Sequence, residues 1–266
     1  MKKKCAVFTI VKNEDYFLPI WIKHYQRFFD NSDIYVLDHQ SDDYSTNNLD
    51  VNVVEVINEL TFDHQWLVDT VENFQNKLLN EYECVLFSES DEIIYCLEKP
   101  LNEMIDDFLN DTENDCVRAH GHEIKQNNEL NISNNDLIIP NRNYWYESAL
   151  YSKTLLSKVR LNWIWGFHYP IKDKSKLWSD GNSINVEFIN KKTNKDYNLF
   201  LLHLHRLDFE LMRERHKKRS KWNHRNDGGG VHNLTDDINT LETYFNDINA
   251  ELKEIPEEHK IALNGL

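Results

Sequence analysis

Glycine and proline are scarce in this sequence, with 7 glycines and 5 prolines among 266 residues. Loop-rich and low-complexity proteins contain far more of both, so that class is excluded. Long apolar runs are also missing, and none approaches the ~20 residues that a membrane-spanning helix needs. The apolar run at 5–11, which follows three lysines, is too short for a signal peptide. We therefore expect a globular, cytoplasmic protein without a membrane span.

Cysteine pairing and basic charge are lacking as well. The four cysteines show no Cys-x-x-Cys spacing, and three of them lie in apolar, strand-like stretches where a thiol packs as a small core residue. The sequence thus implies no disulfide framework. Thirty basic residues against 45 acidic ones give a net charge of −15, which disfavours binding to nucleic acid through bulk electrostatics. We expect small or neutral partners and no nucleic acid.

Several chemistry-bearing motifs are absent too. The chain contains no Walker A loop, no Gly-x-Gly-x-x-Gly turn, no Gly-x-Ser-x-Gly elbow and no cysteine–histidine nucleophile arrangement. These absences exclude the P-loop proteins and the common acyl hydrolases. What the chain does have is 12% aromatic residues and a globular α/β composition.

The first hundred residues alternate between strand and helix signals. Apolar runs predict strands at 5–11, 34–37, 51–57 and 85–87. Apolar residues at helical spacing predict helices at 16–29 and 63–82, the second with Asp63 as its N-cap. Strands separated by helical or irregular crossovers are typical of a right-handed βαβ array, so we predict an α/β fold with a largely parallel sheet.

The remaining residues alternate less regularly. An Asn-rich loop is expected at 126–135 and an aromatic, irregular region at 144–178. The other predicted elements are helices at 101–109, 208–222 and 234–252, strands at 116–124 and 198–205, and a glycine hinge at 226–230.

A cluster of carboxylates directly follows the strand at 85–87. In an open α/β sheet, ligands bind outside the carboxyl ends of the strands. Glu89 and Asp91 stand at positions n and n+2, so in an extended segment they point to the same side and can hold a hard divalent cation together. Glu92 then faces elsewhere and is available for substrate or proton transfer. A solvated acidic turn explains these residues equally well on local grounds.

Three motifs at strand ends carry a resemblance to a group of enzymes. They are Thr-Ile-Val-Lys-Asn-Glu at 9–14, Asp-His-Gln-Ser-Asp-Asp at 38–43 and Glu-Ser-Asp-Glu at 89–92. In this order they resemble the GT-A fold glycosyltransferases of the family 2-like and family 92-like group. The resemblance covers residues 5–95, and more loosely 203–213. It implies a Rossmann-like nucleotide-binding half with a mostly parallel sheet, an acceptor-side region and C-terminal helices.

From this resemblance we expect a GT-A domain over 1–225, divided into a nucleotide-sugar-binding half at 1–98 and an acceptor-side half at 99–225. Residues 226–266 would form a C-terminal hinge and helix. The expected donor is a UDP- or GDP-linked sugar. The resemblance implies that five residues bind it, namely Thr9, Asn13, Glu14, Asp38 and Asp43.

The resemblance also implies a divalent cation, Mn²⁺ or Mg²⁺, that bridges the diphosphate of the donor. Asp91 would bind the cation, with Glu89 in the place of the group's first aspartate and His203 as a third ligand. A cation there would stabilise the charge that develops on the leaving nucleoside diphosphate. Asp91 and Glu92 are the predicted catalytic residues, and Glu92 is a candidate general base for an inverting reaction.

The aromatic region and the histidines give weaker signals. Indole faces stack on sugar rings, so Trp163 and Trp165, together with His168, are candidates for acceptor binding. Core packing explains these tryptophans equally well. Two His-x-His pairs, at 120–122 and 203–205, each point to one face of a strand and are compatible with a metal or with hydrogen-bonded strand histidines.

Residues 213–225 hold seven of the thirty basic side chains. Two interpretations stand, a solvated helix face and a lid that meets the diphosphate and is hinged at the glycines of 228–230.

Taken together, these signals predict a glycosyltransferase of polysaccharide biosynthesis that moves a sugar from a nucleoside diphosphate to a glycan or glycolipid. Two alternatives remain open. A sugar nucleotidyltransferase shares the nucleotide-binding fold but usually carries a glycine-rich phosphate loop, which residues 12–15 lack. A non-catalytic carbohydrate- or nucleotide-binding module would show no turnover.

Overall fold

In the computed structural model the described residues are 1–58, 63–128, 130–132, 136–149, 151–168, 170–171, 196–222, 235–248 and 250–266. The glycine hinge at 226–230 lies outside these ranges. None of the helices within them is both long and apolar enough to span a membrane.

Six strands form the first sheet, in the order β3-β2-β1-β4-β9-β6. They are β1 (Lys3–Val11), β2 (Ile34–Asp38), β3 (Asn52–Glu55), β4 (Tyr82–Phe87), β6 (Cys116–Arg118) and β9 (Thr154–Ser157). The four strands from β3 to β4 pair in parallel, whereas β9 and β6 pair antiparallel. The α/β class with a Rossmann-like, mostly parallel half is therefore confirmed.

Two helices connect these parallel strands, α1 (Phe17–Tyr25) and α2 (His64–Leu78). α2 begins where the sequence predicts because the Asp63 side chain accepts hydrogen bonds from the amides of Gln65 and Trp66. It ends earlier than predicted, at Leu78, since the chain turns there before β4 starts at Tyr82. A third helix, α3 (Leu101–Asn110), follows the parallel half.

A second sheet of five strands has the order β13-β8-β7-β12-β5. Its strands are β5 (Glu92–Cys96), β7 (His120–Ile124), β8 (Tyr144–Glu147), β12 (Leu199–His203) and β13 (Lys253–Glu254). All neighbours are antiparallel except β7 and β12. The predicted strand at 116–124 is divided at Ala119, because β6 joins the first sheet and β7 the second. The chain thus crosses between the sheets at that residue.

Among the described residues, the remaining elements are four helices and one pair of two-residue strands. They are α4 (Ile138–Asn141), β10 (Asn162–Trp163), β11 (Pro170–Ile171), α5 (Phe209–Arg219), α6 (Ile238–Asn246) and α7 (Glu257–Ala262). The C-terminal segment belongs to the body of the protein, since β13 pairs with β8. Ile255, Leu263 and Leu266 are buried in the apolar core of the second sheet, together with Ile124 and Trp145.

The two sheets meet at the acidic cluster. The turn that holds Glu89 and Asp91 connects β4 of the first sheet with β5 of the second. β5 pairs with β12 so that His203 lies opposite Glu92. The carboxyl ends of β1 and β4 therefore face the end of β12, and this seam positions the site.

Candidate active site

A cavity of about 390 Å³ lies at this seam. Its walls come from the loop after β1, the turn after β4, the end of β12 and helix α5. Three acidic and four basic side chains line it, namely Glu14, Glu89, Asp91, Lys12, Lys153, Arg215 and Arg219. The cavity is therefore slightly basic, in a protein whose net charge is −15.

Arg215 lies between two carboxylates. Its Nη1 donates to Oδ2 of Asp91 at 2.7 Å, and its Nη2 donates to Oε2 of Glu14 at 2.7 Å. All three side chains are at most one tenth exposed. Burial would raise the pKa of Asp91, but Arg215 together with His205 and His203 holds that pKa well below its usual range. Asp91 is thus an ionised carboxylate with a fixed partner.

Lys153 has the corresponding place between the other two acids of the cluster. Its Nζ lies 2.5 Å from Oε2 of Glu89 and 2.5 Å from Oε1 of Glu92. Glu92 has no exposed surface, whereas 36% of the Glu89 side chain is exposed. Burial raises the pKa of Glu92 even though Lys153 opposes that shift. The buried Glu92 therefore holds Lys153 in place. Glu89 is the member of this trio whose carboxylate is accessible from the cavity.

A second layer of polar side chains supports His203. Nδ1 of His203 lies 3.2 Å from Oε1 of the fully buried Glu123. Arg206 donates to that same carboxylate at 2.7 Å and to the Tyr151 hydroxyl at 2.8 Å. The Tyr151 ring stacks on His203 with 4.6 Å between ring centroids. Burial alone would lower the pKa of His203, but Glu123 together with Asp91 and Glu92 raises it above its usual value.

The neighbouring histidine behaves differently. Burial lowers the pKa of His205 from 6.5 to about 4, so its imidazole is neutral at pH 7. Its Nδ1 lies 3.8 Å from Oδ2 of Asp91, and its Nε2 lies 3.3 Å from Nε2 of His216. The other His-x-His pair does not reach the cavity, because His122 stacks on Trp145 at 4.1 Å.

Among the described residues of the site, Arg219 is a cation for which no ion-pair partner is seen. It stands one helical turn after Arg215 on α5, so both side chains lie on the same face and line the cavity. Its guanidinium makes no hydrogen bond or ion pair with any described residue. Burial and the nearby Arg215 lower the pKa of Arg219. Five donor groups in a half-buried position without an acceptor favour an anionic ligand there.

Of the five residues predicted to bind the donor, Glu14 lines the cavity. Thr9 does not, because it is fully buried in β1. Asn13 does not either, since its side chain exchanges two hydrogen bonds with Asp42. Asn13 adopts a positive φ of 55° there and holds the loop after β1 to the loop after β2.

Asp38 and Asp43 are also absent from the lining of the cavity. The two carboxylate oxygens of Asp38 accept hydrogen bonds from the Ser41 amide and the Thr46 hydroxyl. Asp43 accepts from the amide and the hydroxyl of Ser45. Both carboxylates therefore shape the loop after β2 in this structure.

The three residues predicted to bind the acceptor differ in whether they reach the cavity. His168 lines the cavity. Trp163 is 1% exposed, packs on Phe87 and donates its Nε1–H to the carbonyl of Thr154, so it offers no face to a sugar. The side chain of Trp165 lies outside the described residues.

The expected metal ligands do not form a metal site in this structure. Asp91 and Glu89 each hold a cationic side chain within 2.7 Å. Nε2 of His203 lies 4.0 Å from Oδ2 of Asp91, an oxygen that Arg215 already contacts at 2.7 Å. Within the described ranges, no three His, Cys, Asp or Glu side chains converge on a point that a metal ion would occupy. The donor set therefore does not fit a divalent cation.

Several residues of the site were not predicted from the sequence. Lys153 and Glu123 give no local signal, since each stands alone among residues of ordinary type. Arg215 and Arg219 lay inside the basic segment at 213–225, and their spacing of four residues was the available signal. The other lysine and arginine side chains of the helix are more exposed, and there Arg213 pairs with Glu210, Lys217 with Glu214 and Lys218 with Asp15.

No family model matches this chain, and no curated protein matches it. Similar solved structures include the mannosyltransferase PcManGT from Pyrobaculum calidifontis in complex with GDP-Man and Mn²⁺, with 14% identity, a TM-score of 0.27 and coverage of 47% of this chain and 36% of that one. Another is the mannosyltransferase Ktr4p from S. cerevisiae, with 14% identity, a TM-score of 0.27 and coverage of 56% and 41%. This chain spans less than half the length of either protein. At these values neither likeness identifies a function.

Proposed function

We propose that this protein is a glycosyltransferase that binds a nucleoside-diphosphate sugar in the cavity at the seam of the two sheets. The observation that carries the proposal is Arg219, whose guanidinium has no partner among the described residues and lines a cavity beyond the carboxyl ends of parallel strands. Ligands of open α/β sheets bind at that edge. A diphosphate supplies the oxygen acceptors that the guanidinium lacks.

The charges of the cavity support an anionic donor. Arg215 pairs with both Glu14 and Asp91, while Lys12 and Arg219 add further positive charge. Developing charge on a leaving diphosphate is stabilised by fixed cations of this kind. Glu89 is the carboxylate of the cluster with the greatest access to the cavity, and we assign to it the role of general base for an inverting transfer in place of the buried Glu92.

The acceptor side of the proposal rests on His168 and Tyr151, which also line the cavity. A ring stacked on His203 gives Tyr151 a fixed apolar face and a polar edge, a combination that suits a sugar. A glycan or glycolipid acceptor is the class that we propose, in keeping with the sequence motifs.

Binding of UDP and GDP, compared with uridine and guanosine, tests the proposal by calorimetry. Arg219→Gln should weaken diphosphate binding by about tenfold or more, because a charge-assisted hydrogen bond contributes about 1.5–3 kcal/mol. Binding of the nucleosides should not change. Arg213→Gln is the matched control, since Arg213 lies on the same helix and pairs with the exposed Glu210.

Turnover distinguishes an enzyme from a binding module. A panel of nucleotide sugars with glycan acceptors should show transfer, or slow hydrolysis of the donor, that Glu89→Gln reduces. Selective binding without any turnover would favour the non-catalytic module. Failure of every nucleoside diphosphate to bind would refute the proposed function.

A further inference from the structure

Arg215 compensates negative charge in this site. Its guanidinium bridges Glu14 and Asp91, with 2.7 Å to each. These two acids come from different parts of the first sheet, the loop after β1 and the turn after β4. Asp91 is the carboxylate to which the sequence motifs assign a divalent cation. In the structure, the cation next to that carboxylate is a side chain.

Arg215 is fixed in this place from several sides. Its Cζ lies 4.6 Å from the centre of the Phe17 ring, and its Nη1 lies 3.5 Å from Nδ1 of His205. Arg215 is 7% exposed. A buried side chain with a stacked ring on one face and two carboxylates at its edge cannot move aside without leaving those carboxylates unpaired.

Glu89, the other carboxylate to which the motifs assign the cation, also has a positive side chain beside it. Lys153, 2% exposed, lies within 2.5 Å of both Glu89 and Glu92. A divalent cation bound between Glu89 and Asp91 would therefore lie beside two positive side chains that already pair with its ligands. Like charges at such distances repel strongly in a poorly solvated site.

We propose that Arg215 is the resident counter-ion of this site, so that a nucleoside diphosphate binds here without a divalent cation. Lys12 and Arg219, which line the same cavity, supply the positive charge that faces the phosphates. This inference rests on the proposed function, because it specifies how the donor of that reaction is held. It departs from the metal dependence that the sequence motifs imply.

Calorimetric titration of the full chain with UDP and GDP, first in EDTA and then in Mn²⁺, tests the inference directly. Dissociation constants that agree within about twofold in the two buffers are expected. Binding that is about tenfold or more tighter in Mn²⁺ would overturn the inference and leave the proposed function intact. If neither nucleotide binds in either buffer, the proposed function fails, and the inference fails with it.

Mn²⁺ binding without nucleotide gives a second readout that is independent of activity. The electron paramagnetic resonance signal of free Mn²⁺ should keep its amplitude when the wild-type protein is added. Loss of signal with one site per chain would overturn the inference, because it would show that Arg215 does not exclude the metal.

Arg215→Gln gives the complementary test, with Arg213→Gln as the matched control on the same helix. In EDTA, Arg215→Gln should weaken diphosphate binding by about tenfold or more, and Mn²⁺ should restore part of the affinity because Glu14 and Asp91 are released. Unchanged affinity in EDTA would overturn the inference. Arg215→Lys, which keeps the charge, should retain most of the binding. If Arg215→Gln does not fold, the two wild-type experiments still decide the question.

Discussion

Buried charges at this site occur in compensated groups. Arg215 joins Glu14 and Asp91, and Lys153 joins Glu89 and Glu92. Removing one partner from such a group is costly, because the remaining charge is buried without compensation. A buried ion pair adds little to the free energy of unfolding compared with well-packed apolar side chains. These groups therefore do more to fix the geometry of the cavity than to stabilise the fold.

Single residues also control how stability depends on pH. Burial lowers the pKa of His24 from 6.5 to about 4, and its Nε2 lies 2.8 Å from the carbonyl oxygen of Ile94. The unfolded chain takes up this proton below pH 6.5, whereas the folded protein does so only near pH 4. The stability contributed by neutral His24 is thus present above pH 6.5 and lost as the pH falls toward 4.

Between pH 7.5 and pH 5, this histidine alone should lower the free energy of unfolding by about 2 kcal/mol. His24→Gln, whose amide can donate to the same carbonyl, should remove that part of the pH dependence. Urea denaturation at the two pH values measures it. His120→Gln, at a side chain that is 48% exposed, is the control and should keep the wild-type dependence. An equal loss of stability in His24→Gln and wild type would contradict the assignment.

At the residue scale, the sequence predicted the acids but not their partners. Glu89, Asp91 and Glu92 form a visible cluster after an apolar strand. The cations that determine their chemistry come from far along the chain: Arg215 is 124 residues from Asp91 and 201 from Glu14, and Lys153 is 64 from Glu89. No pattern of neighbouring residues in the sequence indicates contacts over such separations. They arise from the pairing of β5 with β12 and from the packing of α5 over the seam.

At the scale of elements, α5 matters most because it carries both Arg215 and Arg219. Its N-cap is Asp208, whose Oδ1 accepts from the Leu211 amide at 3.2 Å. The other oxygen accepts from Nη2 of Arg142 at 3.1 Å, and both side chains are at most 2% exposed. Asp208 therefore fixes where the helix begins and balances a buried guanidinium.

Asp208→Asn should lower the free energy of unfolding by about 3 kcal/mol, because the buried Arg142 loses its counter-charge. It should also weaken nucleotide binding, since the start of α5 is no longer fixed. Chemical denaturation and calorimetry measure the two effects. Asp237→Asn at the exposed N-cap of α6 is the control, where Asp237 accepts from the amide and the hydroxyl of Thr240. A variant at Asp208 as stable as this control would refute the role assigned to the pair.

The elements that the sequence predicts well are those with strong local periodicity. β1, β2, β4 and α2 occur where apolar runs, helical spacing and the Asp63 cap place them. Sequence patterns do not predict where the chain passes from one sheet to the other. The sequence predicts one strand over residues 116–124, but the chain divides at Ala119 between two sheets. The helix predicted at 234–252 is observed over Ile238–Asn246, because the chain after it turns to form β13.

At the scale of the whole molecule, the last fourteen residues complete the second sheet. β13 pairs with β8, and α7 packs the His259 ring against Trp145 at 4.7 Å and against Phe200 at 4.8 Å. Phe200 lies on β12, the strand that ends at His203. The C-terminal segment therefore supports, from the far side of the sheet, the strand that forms one wall of the cavity.

Leu263 tests whether this segment belongs to the cooperative core. It is fully buried with Ile255 and Leu266 in the core of the second sheet, whereas Ile261 on the same helix is 67% exposed. Leu263→Ala should cost about 2–5 kcal/mol, through lost transfer free energy and the cavity left behind. Ile261→Ala should change stability by no more than about 0.5 kcal/mol.

The shape of the urea transition tests cooperativity. Fluorescence and circular dichroism should both show a single transition that shifts as a whole in Leu263→Ala, because this core is continuous with the sheet that carries β12. A separate early transition, with the rest of the protein unfolding as in wild type, would instead show that the C-terminal segment is an independent appendage and that the second sheet does not depend on it.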